Sequence, residues 1–195
     1  MISLRRWRIW ISEGAAEAIT SAAREHHPVE IGGVLLGVGV EQRPWVTEAI
    51  IVPSTHQTPT YYELPYGARH AAVDTARRDD GRLGYIGDWH AHPANVGPST
   101  EDVSTMRRVA SDDDAECSHP VMLIARRVGP GYVLDAWQFT GRRLRELKTI
   151  AAGQLPQADS DVKHRPRPTD MGRQSVFTRA SGINGTCMRS CLHVA

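Results

Sequence analysis

Cysteine is scarce in this chain: three in 195 residues, Cys117, Cys187 and Cys191. So few thiols, and an odd number of them, build no disulfide framework, so an apolar core must hold the fold and a reducing compartment is expected. Cys187 and Cys191 lie in a polar stretch without the further ligands that a second metal site needs. Long apolar runs are lacking as well. None approaches the roughly 20 residues that span a bilayer. The opening segment is interrupted by Arg5, Arg6 and Arg8, unlike a signal peptide. Charge of one sign is also missing. Lys and Arg number 23 against 22 Asp and Glu, a net charge of +1, which gives no broad attraction to nucleic acid or to an anionic membrane. The expectations are a cytoplasmic protein with no membrane and no nucleic-acid partner.

What is present is ordinary globular material, 41% hydrophobic and 23% charged. It reads as one domain over residues 1–150 and a polar, disordered tail over 151–195. The tail carries Lys163, Arg165, Arg167, Arg173, Arg179 and Arg189 against Asp159, Asp161 and Asp170, which is +3 and leaves the body at −2.

Alternation predicts a strand at Trp7–Ile11, followed by a helix over 13–26 capped by Ser12 and stopped by Pro28. His26 and His27 fit a helix end. Val29–Gly37 is apolar except for Glu30 and predicts a central strand, with Gly32 and Gly33 permitting close approach of backbone or ligand. Trp45–Pro53 predicts another strand. A polar loop with His56 follows, and its Tyr61, Tyr62, Leu64 and Tyr66 either face a groove or cover the core, the second being the preferred reading. A helix is expected over 67–80, ended by Gly81, with Ala71, Ala72, Thr75 and Ala76 packing and His70 facing solvent. Strands follow at 120–127 and 132–139. Residues 112–114 read as a charged loop, and 142–150 is open between strand and helix.

The stretch from Gly84 to Asp102 organises the rest. It begins as a buried strand and ends as the start of a helix over 100–111. Residues i and i+2 of a strand share a face, so His90 and His92 aim two imidazoles at one point. Asp102 brings a carboxylate from the first turn of the helix. Two His and one Asp form a tripod suited to zinc, with the open fourth position of a catalytic rather than a structural site. Ser99-x-x-Asp102 also reads as a helix N-cap pattern, which fixes both side chains near the strand end. Glu30 is the unusual group, because a carboxylate in an apolar strand needs a partner. Asp88 is expected to point away from the metal and is given no role.

Glu30 within Glu-Ile-Gly-Gly-Val-Leu-Leu-Gly, His90-Ala-His92-Pro and Ser99-x-x-Asp102 together resemble the JAMM (MPN-plus, JAB-domain) zinc metalloproteases, especially their compact bacterial members. Ala91 departs from the Ser or Thr common there. The resemblance covers about residues 1–150. It implies an α/β (α+β) fold, a curved mixed β-sheet flanked by helices of the cytidine-deaminase-like JAB/MPN type. It also implies that His90, His92 and Asp102 hold one zinc ion, that Glu30 is the general base and that Ser99 stabilises the oxyanion. The implied activity is that of an isopeptidase or peptidase cutting after the C-terminal tail of a ubiquitin-like or sulfur-carrier protein, alongside E1- or E2-like conjugation enzymes. Such a tail can bind as an added strand. Two other readings are a non-catalytic MPN-type scaffold, disfavoured by the complete ligand set, and a DNA-repair-associated relative, disfavoured by the lack of an N-terminal helix-hairpin-helix segment.

Overall fold

The computed structural model describes residues 7–40 and 43–152. Arg5, Arg6, Cys187, Cys191 and the tail reading from residue 153 onward lie outside those residues, whereas residues 151 and 152, read as the start of the tail, belong to the last strand.

The first strand, β1 (Arg8–Ser12), runs directly into α1 (Glu13–Glu25). Ser12 makes this junction sharp. Its Oγ accepts the Ala15 N–H at 3.1 Å, which caps the helix, and donates to the Thr47 carbonyl at 2.7 Å. β2 (Gly32–Val40) and β3 (Arg43–Ile51) form an antiparallel pair. A small hairpin, β4 (Gln57–Thr58) and β5 (Tyr61–Tyr62), precedes α2 (Ala68–Asp79). Then come β6 (Gly84–His92), α3 (Thr100–Ala110), β7 (Val121–Val128), β8 (Gly131–Phe139) and β9 (Leu144–Ala152).

The main sheet has the order β1-β3-β2-β6-β7-β8-β9, and β9 returns to pair with β1, so the sheet closes on itself. Pairings β6–β7, β1–β3 and β1–β9 are parallel; the others are antiparallel. The parallel β6–β7 step requires a crossover, and α3 lies within it. Strand alternation then sorts the core. Trp89, Ala91, Leu123 and Ala125 face inward onto Ala15, Ile19, Ala22 and Ala23 of α1. Met122 and Ile124 face the other way, onto Met106 and Val109 of α3. Val34 and Leu36 meet Ala72 and Ala76 of α2 on that same outer side. One helix therefore fills the inner face of the sheet and two cover its outer face. Burying one large side chain among these contributes roughly 1.5–3 kcal/mol.

Several elements differ from the sequence reading. The strand expected from Val29 begins at Gly32 and runs on to Val40. Before Gly32 the backbone bonds elsewhere, with the Val29 N–H to His26 and the Glu30 N–H to Thr58. The region read as a loop holds the β4–β5 hairpin. In α2 only Ala72 and Ala76 of the expected four are buried; Ala71 and Thr75 are exposed, and Asp80 rather than Gly81 forms the C-cap. Asp113–Ala115 is a short 3-10 turn. Residues 144–152 resolve as a strand because β8 and β1 both offer them a pairing edge.

Candidate active site

β6 ends at His92, and both histidines project from its outer face toward the start of α3. Their Nε2 atoms are 2.9 Å apart, with the rings tilted by 58°. Asp102 reaches the same point. Its Oδ1 is 3.3 Å from His90 Nε2 and its Oδ2 is 3.7 Å from His92 Nε2. The helix cap places this carboxylate: Ser99 and Asp102 form a capping box at the start of α3. One ligand atom from each of His90, His92 and Asp102 lies within 4.8 Å of the other two. Two imidazole nitrogens and a carboxylate oxygen, converging from a strand and a helix, fit a divalent metal ion, and zinc is among the ions this donor set suits.

The protonation states agree with that fit. His92 Nδ1 donates to the Val96 carbonyl at 3.0 Å, which leaves the Nε2 lone pair facing Asp102. Burial, and then the His90 charge, lower the pKa of His92 and favour its neutral, ligating form. Burial opposes ionisation of Asp102. The His90 hydrogen bond and charge and the Ser99 donors outweigh it and hold the carboxyl below its usual range.

Glu30 completes the cluster, its Oε1 4.0 Å from His92 Nε2. It sits just ahead of β2, where Ile31 accepts the Ala91 N–H at 2.7 Å and so locks this segment between the two histidines. Burial pushes the Glu30 carboxyl up to about 7, with the His90 charge pulling it down and the Asp102 charge adding to the rise.

A cavity of about 710 Å³ opens over these groups and is lined by Glu30, Tyr62, His90, His92, Ser99 and Asp102 among others. Tyr62 corrects the expectation that the loop aromatics cover the core. Its OH donates to the Val52 carbonyl at 2.7 Å and its ring lies on Gly32, where a Cβ would collide with it. Tyr61 and Tyr66 are exposed, and only Leu64 packs beneath α2. Gly33 is likewise closed in, by the Ile50 carbonyl.

Asp88 is a second correction. Positions 88, 90 and 92 share one face of β6, so its side chain lies in the wall of the same cavity. It is buried and pairs with Arg69 Nη2 at 3.3 Å, and Arg69 Nη1 is 4.0 Å from Asp112. Strand parity carried the signal for Asp88. No local signal marks Tyr62 or Arg69, because their positions depend on contacts distant in sequence.

The closed mixed sheet, the His-His-Asp group and the buried glutamate beside it define a peptidase of the JAMM type. The family described as prokaryotic homologues of the JAB domain matches residues 12–140, and the chain belongs to it. Among curated proteins, the chain is 30% identical over 153 residues to "Probable metalloprotease y4qB" of Sinorhizobium fredii, covering 74% of this chain and 93% of that one. It is 30% identical over 129 residues to a "CD-NTase/cGAS isopeptidase" of Enterobacter hormaechei, covering 60% of this chain and 67% of that one. The fold matches the solution structure of a Desulfitobacterium hafniense protein with a TM-score of 0.61 at 23% identity, over 77% of this chain and 97% of the other. Among the described residues no helix is long and apolar enough to cross a membrane.

Proposed function

We propose that the chain is a cytoplasmic zinc isopeptidase or peptidase that hydrolyses the amide bond after the C-terminal tail of a ubiquitin-like or sulfur-carrier protein. E1- or E2-like conjugation enzymes are its natural companions. In this reading His90, His92 and Asp102 hold the zinc. When bound, zinc supplies Lewis acidity that polarises the scissile carbonyl and acidifies water. Glu30 accepts a proton from the attacking water and delivers it to the leaving amine. The Ser99 hydroxyl accepts the Asp102 N–H through its oxygen and keeps its own proton to donate to the oxyanion. Tyr62, backed onto Gly32, narrows the cavity beside Glu30, which favours small residues in an extended tail.

The observation that carries this reading is Glu30, a buried carboxylate held 4.0 Å from a metal-ligand nitrogen. A scaffold has no use for a buried base aimed at a metal site, which disfavours the non-catalytic alternative. The isopeptidase name of the Enterobacter relative supports the substrate class.

The test offers a ubiquitin-like fusion and a short peptide of the same tail sequence to wild type and to Glu30→Gln. Zinc-dependent cleavage of the fusion, absent in the variant, is expected. Most binding comes from the folded body of the substrate, so the peptide should turn over poorly. Equal kcat/KM on the peptide would make this a general peptidase, and no cleavage of any ubiquitin-like fusion would restore the scaffold reading.

A further inference from the structure

The loop between β6 and α3 carries the carbonyl that sets the tautomer of His92, yet the loop itself is open to solvent. Ala94, Asn95, Val96 and Gly97 are exposed, Val96 by 53%. Burial therefore does not hold the Val96 carbonyl against His92 Nδ1, and polar contacts must. The Val96 N–H donates to the Ala94 carbonyl at 3.0 Å and tightens the turn. Asn95 Oδ1 accepts an N–H from Arg126 Nη1. Arg126 belongs to β7 and is the register partner of His92 across the parallel β6–β7 pair. Partners in a parallel pair project from the same face, so Arg126 stands beside His92. Its other end is fixed as well, because Arg126 Nε donates to Asp135 Oδ2 on β8 at 2.5 Å.

We propose that Arg126, gripped by Asp135 and reaching Asn95, is a positioning residue that holds the Val96 carbonyl on His92 Nδ1 and so fixes which nitrogen of His92 faces the metal. The inference rests on the reading of His92 as a ligand. A ligating imidazole needs its lone pair at the metal, and a bond to its other nitrogen fixes both tautomer and ring orientation. An exposed loop supplies such a bond only while something pins the loop. A guanidinium does this because its donors are spaced in a rigid fork, one for the strand carboxylate and one for the loop amide. A lysine ammonium has the charge but not the fork.

The experiment uses the full-length, zinc-loaded, 15N-labelled chain and reads two quantities. One is zinc affinity, by competition with a chelator. The other is the exchange of the His92 Nδ1 proton with solvent. Arg126→Gln and Asn95→Ala should each weaken zinc binding by about ten- to a hundredfold and speed exchange of that proton. Arg126→Lys should recover only part of both. Asn95→Ala removes an exposed loop side chain, so it keeps the test valid even where Arg126→Gln disturbs the sheet. Unchanged exchange in Asn95→Ala overturns the proposal, whether or not affinity falls. A wild-type chain that binds no zinc overturns the ligand reading instead. The His92 tautomer, read from ring 15N shifts without metal, must then still differ between wild type and Asn95→Ala for the positioning role to stand.

Discussion

Ser99 and Asp102 bond each other twice. The Ser99 N–H donates to Asp102 Oδ2 at 2.6 Å, and the Asp102 N–H donates to Ser99 Oγ at 3.1 Å. The pairing stabilises the start of α3 and leaves Asp102 Oδ1 directed at His90. Ser99→Ala is therefore expected to act twice. Loss of the cap should cost about 1 kcal/mol of stability. Loss of the hydroxyl should lower kcat about a hundredfold with little change in KM. Ser99→Thr should recover much of both. Thermal melts and steady-state kinetics separate the two effects, and a Ser99→Ala enzyme with wild-type kcat would reduce Ser99 to a helix cap.

Wild type should carry one zinc ion per chain and His92→Ala should carry almost none. Added zinc should raise the melting temperature of wild type and leave that of His92→Ala unmoved, because the metal binds only the assembled site. Elemental analysis and melts decide this. Equal zinc in the two proteins would remove His92 from the ligand set.

Glu30→Gln should keep its zinc and lose most of its turnover; loss of zinc instead would make Glu30 a ligand. The same substitution has a pH signature in the presence of chelator. Folding raises the Glu30 carboxyl from its ordinary 4.5 to about 7. Between those values the folded state holds a proton that the unfolded chain has released, so rising pH costs the wild type stability across that window. Glu30→Gln has nothing to ionise there. Its melting temperature should match wild type near pH 4 and exceed it near pH 8. A gap that stays constant with pH would mean that the carboxyl is not raised by burial. In the loaded enzyme the zinc charge pulls the Glu30 value down, so the acid limb of kcat/KM should fall below pH 7.

A chain ended after Gly153 keeps all of β9 and should fold, bind zinc and melt within a few degrees of the full-length protein. A chain ended after Thr140 lacks β9, leaves β1 and β8 without a common partner, and should not give a cooperative melt. A large drop in melting temperature for the longer truncation would extend the domain beyond residue 153.

The grouping of the candidate site's side chains was legible because the pattern that assembles it is local. His90 and His92 needed only strand parity, and Ser99 with Asp102 needed only the spacing of a helix cap. Glu30 stood out as the one carboxylate in an apolar run. Where the reading failed, the cause was either parity left unused or a partner far along the chain. Asp88 belongs on the histidine face by the same alternation that placed the histidines. Tyr62 could not be placed, because what holds it is the Val52 carbonyl and the bare backbone of Gly32. The start of β2 was hidden because Val29 and Ile31 are as apolar as the strand they precede. The state of 142–150 depends on β1 and β8, which no nearby residue reveals.

Closure of the sheet by β9 also orders the events of folding. Arg8 pairs with Lys148 and Ser12 with Ala152, so the seam joins nearly the first described residues to the last. On a ribosome it cannot form until the whole domain has emerged. The group of His90, His92 and Asp102, by contrast, is assembled from one short stretch. Local contacts form fast and distant ones slowly. Amides of the β6–α3 region should therefore gain hydrogen-exchange protection before those of β1 and β9 during refolding. A nascent chain would then carry an ordered ligand set inside a barrel still open along one side, and simultaneous protection of both regions would refute that order.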